Sequence, residues 1–275
     1  MRLVKARRFN QVTAYELGWS LFGPPLMTTH FYVIGDALVD TGQSHMRKEA
    51  LKIARDHHIR NVYLTHYHED HSGNASAIAK NSDTTVYGHP GTAEMMAAPL
   101  KFLPYQKYMW GKAETVGVKK VPDIIETALG LMEPVHTPGH AEDHTCFFLK
   151  DEGILFSGDL YLGDKIKYFR SDEDMGSQIQ SLKKVLSLDF NMLLCGHAPK
   201  RKNGKKHIKR KLVFLEDLYG SILRLFEKGM PEKKIFVSLK LKENHFTKYF
   251  CFGDVSMING VRSAVRHHMS KTVSE

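Results

Sequence analysis

Apolar and polar positions alternate in short runs at the start of the chain. Thr29-His30-Phe31-Tyr32-Val33-Ile34-Gly35-Asp36 reads as a strand closed by a Gly-Asp turn. Ala37-Leu38-Val39-Asp40-Thr41-Gly42 reads as a second, shorter strand stopped at Gly42. Two such runs across a tight turn predict a hairpin. From Ser44 to His57 the period changes: Met46, Ala50, Leu51, Ile53 and Ala54 fall on one helical face, with Ser44 placed to cap it. Asn61 to Thr65 is a buried strand, Asn74 to Lys80 a helix and Thr84 to Tyr87 a strand. Strand and helix in turn predict α/β layering.

Pro99 to Glu114 breaks that rhythm with Leu100, Phe102, Leu103, Tyr105, Tyr108, Met109 and Trp110 at no clear period. The segment suits either a packed loop or a lid beside a site. Beyond it, Met132 to His136, Thr145 to Leu149, Ile154 to Ser157 and Asn191 to Cys195 read as strands, the middle pair a hairpin across Lys150-Asp151-Glu152-Gly153. Asp172 to Leu186 and Lys206 to Lys228 read as helices.

A length of 275 residues suits one large core, or one core with an appendage of about 70 residues. With 42% hydrophobic and 25% charged residues, disorder and coiled coil are excluded as the main body. No stretch approaches the roughly 20 apolar residues that span a bilayer, so no membrane association is expected. The start carries charge without a following apolar segment, which argues against a secretory signal. Three cysteines, an odd number, argue against a disulfide framework. These features together predict a cytoplasmic protein. The net charge of +9 is uneven: residues 200–275 hold 18 Lys/Arg against 7 Asp/Glu, and the rest is near neutral. Residues 1–200 are therefore read as the catalytic domain and 201–275 as a basic, mainly helical extension, either a solvated face or a surface for phosphates or RNA.

Histidine, at 16, is the unusual count. His66, His68, Asp70 and His71 crowd one turn directly after a strand. His140, Asp159 and His197 each stand where an apolar strand gives way to a glycine-containing turn. Strand ends sit on one rim of a sheet, rigid yet open, so residues far apart in the chain can converge there. Clustered imidazoles and carboxylates carry a solvation cost that a cation offsets. Each zinc-like ion takes about four such ligands. Seven ligands serve two divalent ions, expected to be zinc, if one carboxylate bridges. His66, His68 and His140 go to the first ion, Asp70, His71 and His197 to the second, and Asp159 bridges. Isolated histidines such as His89 and His136 are read as structural or surface groups, and Cys195 as a core thiol.

His66-Tyr67-His68-Glu69-Asp70-His71-Ser72-Gly73-Asn74 resembles the HxHxDH signature of the metallo-β-lactamase superfamily. Asp40-Thr41-Gly42, Thr137-Pro138-Gly139-His140, Ser157-Gly158-Asp159 and Gly196-His197 resemble that family's remaining motifs, in its order, over about residues 25–200. The resemblance implies a four-layer αβ/βα sandwich of the α/β class with metals at one edge of its two sheets. It assigns the same seven ligands. A histidine at position 71 resembles the glyoxalase II-like branch, and a histidine at 68 disfavours iron redox chemistry. His140-Ala141-Glu142-Asp143-His144 and Gly158 to Gly163, with a helical extension, resemble small hydrolases of the fold that include an RNA endonuclease.

The resulting expectation is a dinuclear hydrolase. A metal-bridging hydroxide attacks a small ester, thioester or lactone, and Asp70 orients that nucleophile and accepts its proton. His144 and Tyr161 are candidate substrate contacts, His144 alternatively a supporting partner of a ligand. The alternative is a phosphodiesterase acting on single-stranded RNA, the basic extension supplying its groove. A small molecule is the expected partner, with RNA the alternative; the oligomeric state is left open.

Overall fold

A computed structural model describes residues 1–81 and 83–274. Two compact units share the chain: residues 1–136, 143–159 and 189–204 form the first, and 137–142, 160–188 and 205 onward the second. Residues 160–188 group with the C-terminal helices because long-range bonds tie them there. The Met175 amide donates to Ser263 Oγ at 2.8 Å, and Lys211 Nζ donates to the Leu160 carbonyl at 2.6 Å.

In the first unit β1 (Arg2–Phe9), β2 (Val12–Trp19), β3 (Thr28–Ile34), β4 (Ala37–Val39), β5 (Asn61–Tyr63), β6 (Thr85–Gly88) and β7 (Lys119–Lys120) form one sheet in that order. β1 to β4 are antiparallel, so short turns join them. β4 to β7 run parallel, which requires crossovers. α1 (Arg47–Asp56) makes the first; α2 (Glu69–Ser72) and α3 (Ala75–Asn81) make the second; α4 (Pro90–Ala97) and α5 (Pro104–Met109) make the third. A second sheet holds β8 (Ile125–Thr127), β9 (Gly130–His136), β10 (Thr145–Leu149), β11 (Ile154–Gly158) and the strand Met192–Cys195, the last two parallel.

β3 shows why the sheets stack. Successive side chains of a strand point to opposite faces, and both faces of β3 are apolar. Tyr32 and Ile34 enter a core shared with Phe147, Leu149, Phe156 and Leu194 of the second sheet. The Tyr32 and Phe156 rings meet edge to face at 5.4 Å. Phe31 and Val33, with Leu38 and Val62, face the other way against Met46, Ile53 and Ala54 around α1 and Ala75 and Ile78 of α3. Burying such side chains contributes about 1.5–3 kcal/mol each, which makes these two cores the main support of the unit.

Two local expectations are corrected. Ser44 does not cap α1: residues Ser44–Met46 form a 3₁₀ turn, and Ser44 Oγ donates to the Trp110 carbonyl at 3.3 Å. Within Pro99 to Glu114, α5 forms because Pro104 sits at its first turn and Gln106 Oε1 accepts from the Leu103 amide at 2.7 Å. Tyr105, Trp110 and Ala113 of that segment are buried, as a packed connection requires.

The second unit contains α6 (Met175–Leu186), α7 (Gly204–Phe226), α8 (Glu232–Ser238), α9 (His245–Phe250) and α10 (Met257–Ser274), and a two-stranded ribbon of Phe169–Arg170 with Val255–Ser256. Asp174 caps α6 by accepting from the Ser177 amide at 2.6 Å. Ile179, Leu182, Ile208, Leu215, Ile235 and Val261 are among its buried side chains. Among the described residues, no helix is long and apolar enough to cross a membrane.

Candidate metal centre

Three strand ends of the first unit deliver the polar groups. β5 leads into Thr65 and His66, β11 into Asp159, and the strand Met192–Cys195 into His197. Because β11 and Met192–Cys195 are parallel and adjacent, both present their carboxyl ends at one edge, where open α/β sheets place their sites. The HxHxDH stretch turns into α2, and one helical turn brings Asp70 and His71 onto the same centre.

His71 Nε2 lies 3.2 Å from Asp159 Oδ1 and 3.6 Å from Asp70 Oδ2. His197 Nε2 lies 3.3 Å from Asp70 Oδ2 and 3.4 Å from Asp159 Oδ2. One ligand atom from each of these four residues falls within 4.8 Å of the others. His66 Nε2 and His68 Nδ1 approach to 2.9 Å, both side chains buried. His140 belongs to the second unit, where it is buried with Nδ1 2.8 Å from Glu173 Oε1.

Supporting contacts decide which nitrogen of each histidine is offered. His71 Nδ1 lies 2.8 Å from Asp40 Oδ2 and His197 Nδ1 2.7 Å from the Thr28 carbonyl. Each contact holds a proton on Nδ1 and turns Nε2 toward the carboxylates. Glu173 likewise holds the proton on His140 Nδ1. This arrangement is usual for metal-binding histidines, and with two imidazoles and two carboxylates at one point the donor set fits a zinc-like ion. Asp40 and Glu173 are contributors that motif reading did not single out as such.

His144 is fully buried, and its Nε2 accepts from the Asp159 amide at 3.1 Å. It therefore holds the backbone of Asp159 in place. The glycine before Asp159 makes room for it. Gly158 has φ +44°, and a Cβ there would lie 2.6 Å from His144 Nε2. Tyr161 lies in the second unit, buried, with its hydroxyl donating to Asp164 Oδ1 at 2.6 Å. His89 and His136 stack on each other at 4.2 Å, and Cys195 Sγ accepts from the Ala198 amide at 3.1 Å, as a core thiol does.

The turn carrying Asp40 and the turn carrying His71 are clamped together. Thr41 Oγ1 donates to the His71 carbonyl at 2.7 Å, and Asn74 Nδ2 lies within 3.0 Å of the Thr41, Gly42 and Gln43 carbonyls. Gly73 permits that approach: a Cβ there would lie 2.7 Å from the Ser44 nitrogen and 2.8 Å from the Gly42 oxygen. Gly73→Ala is expected to force the turns apart and destabilise the protein by about 1–3 kcal/mol. Urea unfolding checks this; an unchanged midpoint would mean the turns are not held at that distance.

Burial opposes charge on all four groups of the Asp70 cluster. Asp159, Asp70 and Asp40 outweigh it at His71 and hold that imidazolium well above the ordinary histidine value. Asp159 and Asp70 do the same for His197. In return, His197 and His71 hold the Asp159 carboxyl well below its usual range, and His71 and His197 lower that of Asp70. In the metal-free chain the histidines stabilise the fold below their ordinary value, a contribution lost as pH rises through the raised one. The carboxylates stabilise above their ordinary value, and that is lost as pH falls through the lowered one. A cation must displace the imidazolium protons. Zinc uptake at pH 7 is therefore expected to release protons, with affinity weakening on acidification from above the ordinary histidine value near 6.5. Titration calorimetry in buffers of different ionisation enthalpy measures the release; none at pH 7 would contradict the charge state.

A family model described as the metallo-beta-lactamase superfamily matches residues 26–197, more than half of the chain. The chain belongs to the metallo-beta-lactamase superfamily. Proteins similar to it include the beta-lactamase-like protein 2 homolog of Caenorhabditis elegans, 31% identical over 63% of this chain and 57% of that protein. Another is the atrochrysone carboxyl ACP thioesterase of Aspergillus fumigatus, 27% identical over 76% of this chain and 63% of that protein. The matched part is thus less than two thirds of either relative's own length. Among solved structures, a metallo-beta-lactamase family protein of Thermus thermophilus aligns with a TM-score of 0.66 at 18% identity, covering 93% of each chain. The metallo-β-lactamase fold, of the α/β class, is shown by that likeness.

Proposed function

We propose that the chain is a metal-dependent hydrolase of thioesters and related small esters or lactones. The observation that carries this reading is the set of Asp70, His71, Asp159 and His197, the first three buried, whose ligand atoms lie within 4.8 Å of one another. The thioesterase among the similar proteins favours an acyl–sulfur bond over other acyl links. His66, His68 and His140 would hold one divalent ion, Asp70, His71 and His197 a second, and Asp159 both, with zinc the expected metal. Bound there, such ions lower the pKa of water and polarise a carbonyl oxygen.

The chain's own residues then divide the work. Asp70 orients the attacking water and accepts its proton. Asp40, Thr28 and Glu173 keep the histidine rings turned so that one nitrogen of each faces the centre, and His144 fixes the Asp159 backbone. In the overall reaction the water oxygen bonds to the acyl carbon, the carbon–sulfur bond breaks, and the thiol leaves with a proton. A panel of thioesters, lactones, a β-lactam and phosphodiesters, each assayed with wild type and His68→Ala, tests the reading. Thioester cleavage lost on that substitution is expected; cleavage that survives it would refute the mechanism.

The phosphodiesterase alternative draws on the basic charge of residues 200–275. It requires RNA binding that weakens steeply between about 50 and 200 mM salt, and a flat response would remove it.

A further inference from the structure

Two short helices of the second unit expose apolar side chains that its core does not take up. Val237 on α8, Phe246 and Tyr249 on α9, and Phe252 just beyond α9 are 72%, 71%, 74% and 67% exposed. Phe246 and Tyr249 are three residues apart and so share one face of α9. Residues 239–244 join the helices, so the end of α8 lies within about 25 Å of the start of α9. Exposed apolar groups gathered in this way mark an interaction surface. The helix stops point the same way. In each, an amide reaches back five positions: Leu241 donates to the Phe236 carbonyl at 3.2 Å, and Gly253 to the Lys248 carbonyl at 2.8 Å. Such a stop uses a left-handed residue, most often glycine. Here Lys240 takes it with φ +50° and Phe252 with φ +55°. A bulky ring in that conformation, left mostly in water, is unfavourable on both counts, and packing does not compensate it.

Charge says what the surface meets. Between Pro231 and Asp254, Lys233, Lys234, Lys240 and Lys242 are exposed and form no ion pair among the described residues. The acidic groups of the same stretch are engaged. Glu232 lies 3.7 Å from Arg262 Nε. Glu243 accepts from Ser256 Oγ at 2.7 Å and from the Met257 amide at 2.9 Å, and Asp254 accepts from Ser171 Oγ. Apolar tips among uncompensated lysines complement a surface that is apolar beneath and anionic above. A second copy fits poorly, since a two-fold contact through this face would set its lysines against their own copies. A nucleic acid strand fits less well too. Bases stack along a groove, whereas side chains this exposed stand out from the surface, and Val237 offers no ring.

We propose that α8, α9 and the turns after them bind the surface of an anionic lipid bilayer. Val237, Phe246, Tyr249 and Phe252 enter the headgroup region and the lysines pair with lipid phosphates. Such attachment needs no spanning helix, which is all that the apolar stretches of the sequence exclude. It is independent of what the metal centre cleaves. Co-sedimentation of the full chain with vesicles tests it. The chain is expected to bind vesicles of equal parts phosphatidylcholine and phosphatidylglycerol about tenfold or more tighter than phosphatidylcholine alone, and to be released as salt rises. Lys234→Glu/Lys242→Glu and Phe246→Ser are each expected to weaken binding about tenfold or more. Phe252→Gly separates binding from folding. It is expected to weaken binding while leaving the Tm unchanged or raised, because glycine suits φ +55°. Phe22→Ser, at a ring of the first unit that is 84% exposed, is the control and is expected to bind as wild type does.

No binding to the mixed vesicles, or equal binding to both kinds, would overturn the proposal. So would binding that the α8 and α9 variants keep and Phe22→Ser loses, which would place the contact on the first unit. Retention of single-stranded RNA without vesicle binding would overturn it in favour of nucleic acid. A dimer in sedimentation velocity that Phe246→Ser dissociates, again without vesicle binding, would overturn it in favour of a second copy.

Discussion

Asp70→Asn is expected to lower hydrolysis by roughly 10²–10⁴-fold, the range over which a positioned general base contributes. Asparagine keeps the size of the side chain and an oxygen toward His197, now at 3.3 Å from Asp70 Oδ2. It cannot accept a proton at neutral pH, and it removes one negative charge from a group of two carboxylates and two imidazoles. The loss should appear in kcat while the circular dichroism spectrum is retained. Turnover within a fewfold of wild type would show that another group accepts the proton.

The second large effect belongs to a residue outside the ligand set. Asp40 is buried, and its carboxylate accepts from the Thr65 amide at 2.8 Å and from Thr65 Oγ1 at 2.9 Å, besides facing His71 Nδ1. Asp40→Ala would leave those donors without an acceptor inside the protein. Breaking a buried pair of this kind costs about 3–5 kcal/mol, a large share of a domain's stability. Freed of its carboxylate, the His71 ring can turn or take the other tautomer, and zinc affinity is expected to fall about 10–100-fold. Asp40→Asn should be milder for folding, since Asn tolerates the left-handed backbone at this position, φ +63°. Chemical unfolding and competition with a zinc chelator measure the two effects. If Asp40→Ala shifts neither, Asp40 does not hold His71.

The residues of the Asp70 cluster were legible because each ends an apolar strand at a glycine or within one dense motif. Strand-end position needs only local pattern, and the parallel pairing of β11 with Met192–Cys195 did the rest. Their partners were not legible in the same way. Asp40 lies 31 residues before His71, and only the parallel pairing of β4 with β5 brings them together. Glu173 belongs to no motif and reaches His140 across 33 residues. The strands were readable wherever alternation or a turn marked them, as in the hairpin of β10 and β11. α5 was hidden because Tyr105, Tyr108 and Trp110 bury or expose themselves without a helical period, Tyr105 and Trp110 packed and Tyr108 outside. Ser44 misled because a 3₁₀ turn stands where the helix start was expected, and its hydroxyl donates to the Trp110 carbonyl. The Tyr161 hydroxyl bond to Asp164, three residues on, carries no motif that sequence could show.

Elemental analysis of the purified chain bears most directly on the idea that these side chains gather a pair of cations. Wild type dialysed against zinc and then against buffer should retain two ions per chain, and Asp159→Ala no more than one. A wild type that keeps one or none, or a variant that keeps both, would contradict the account.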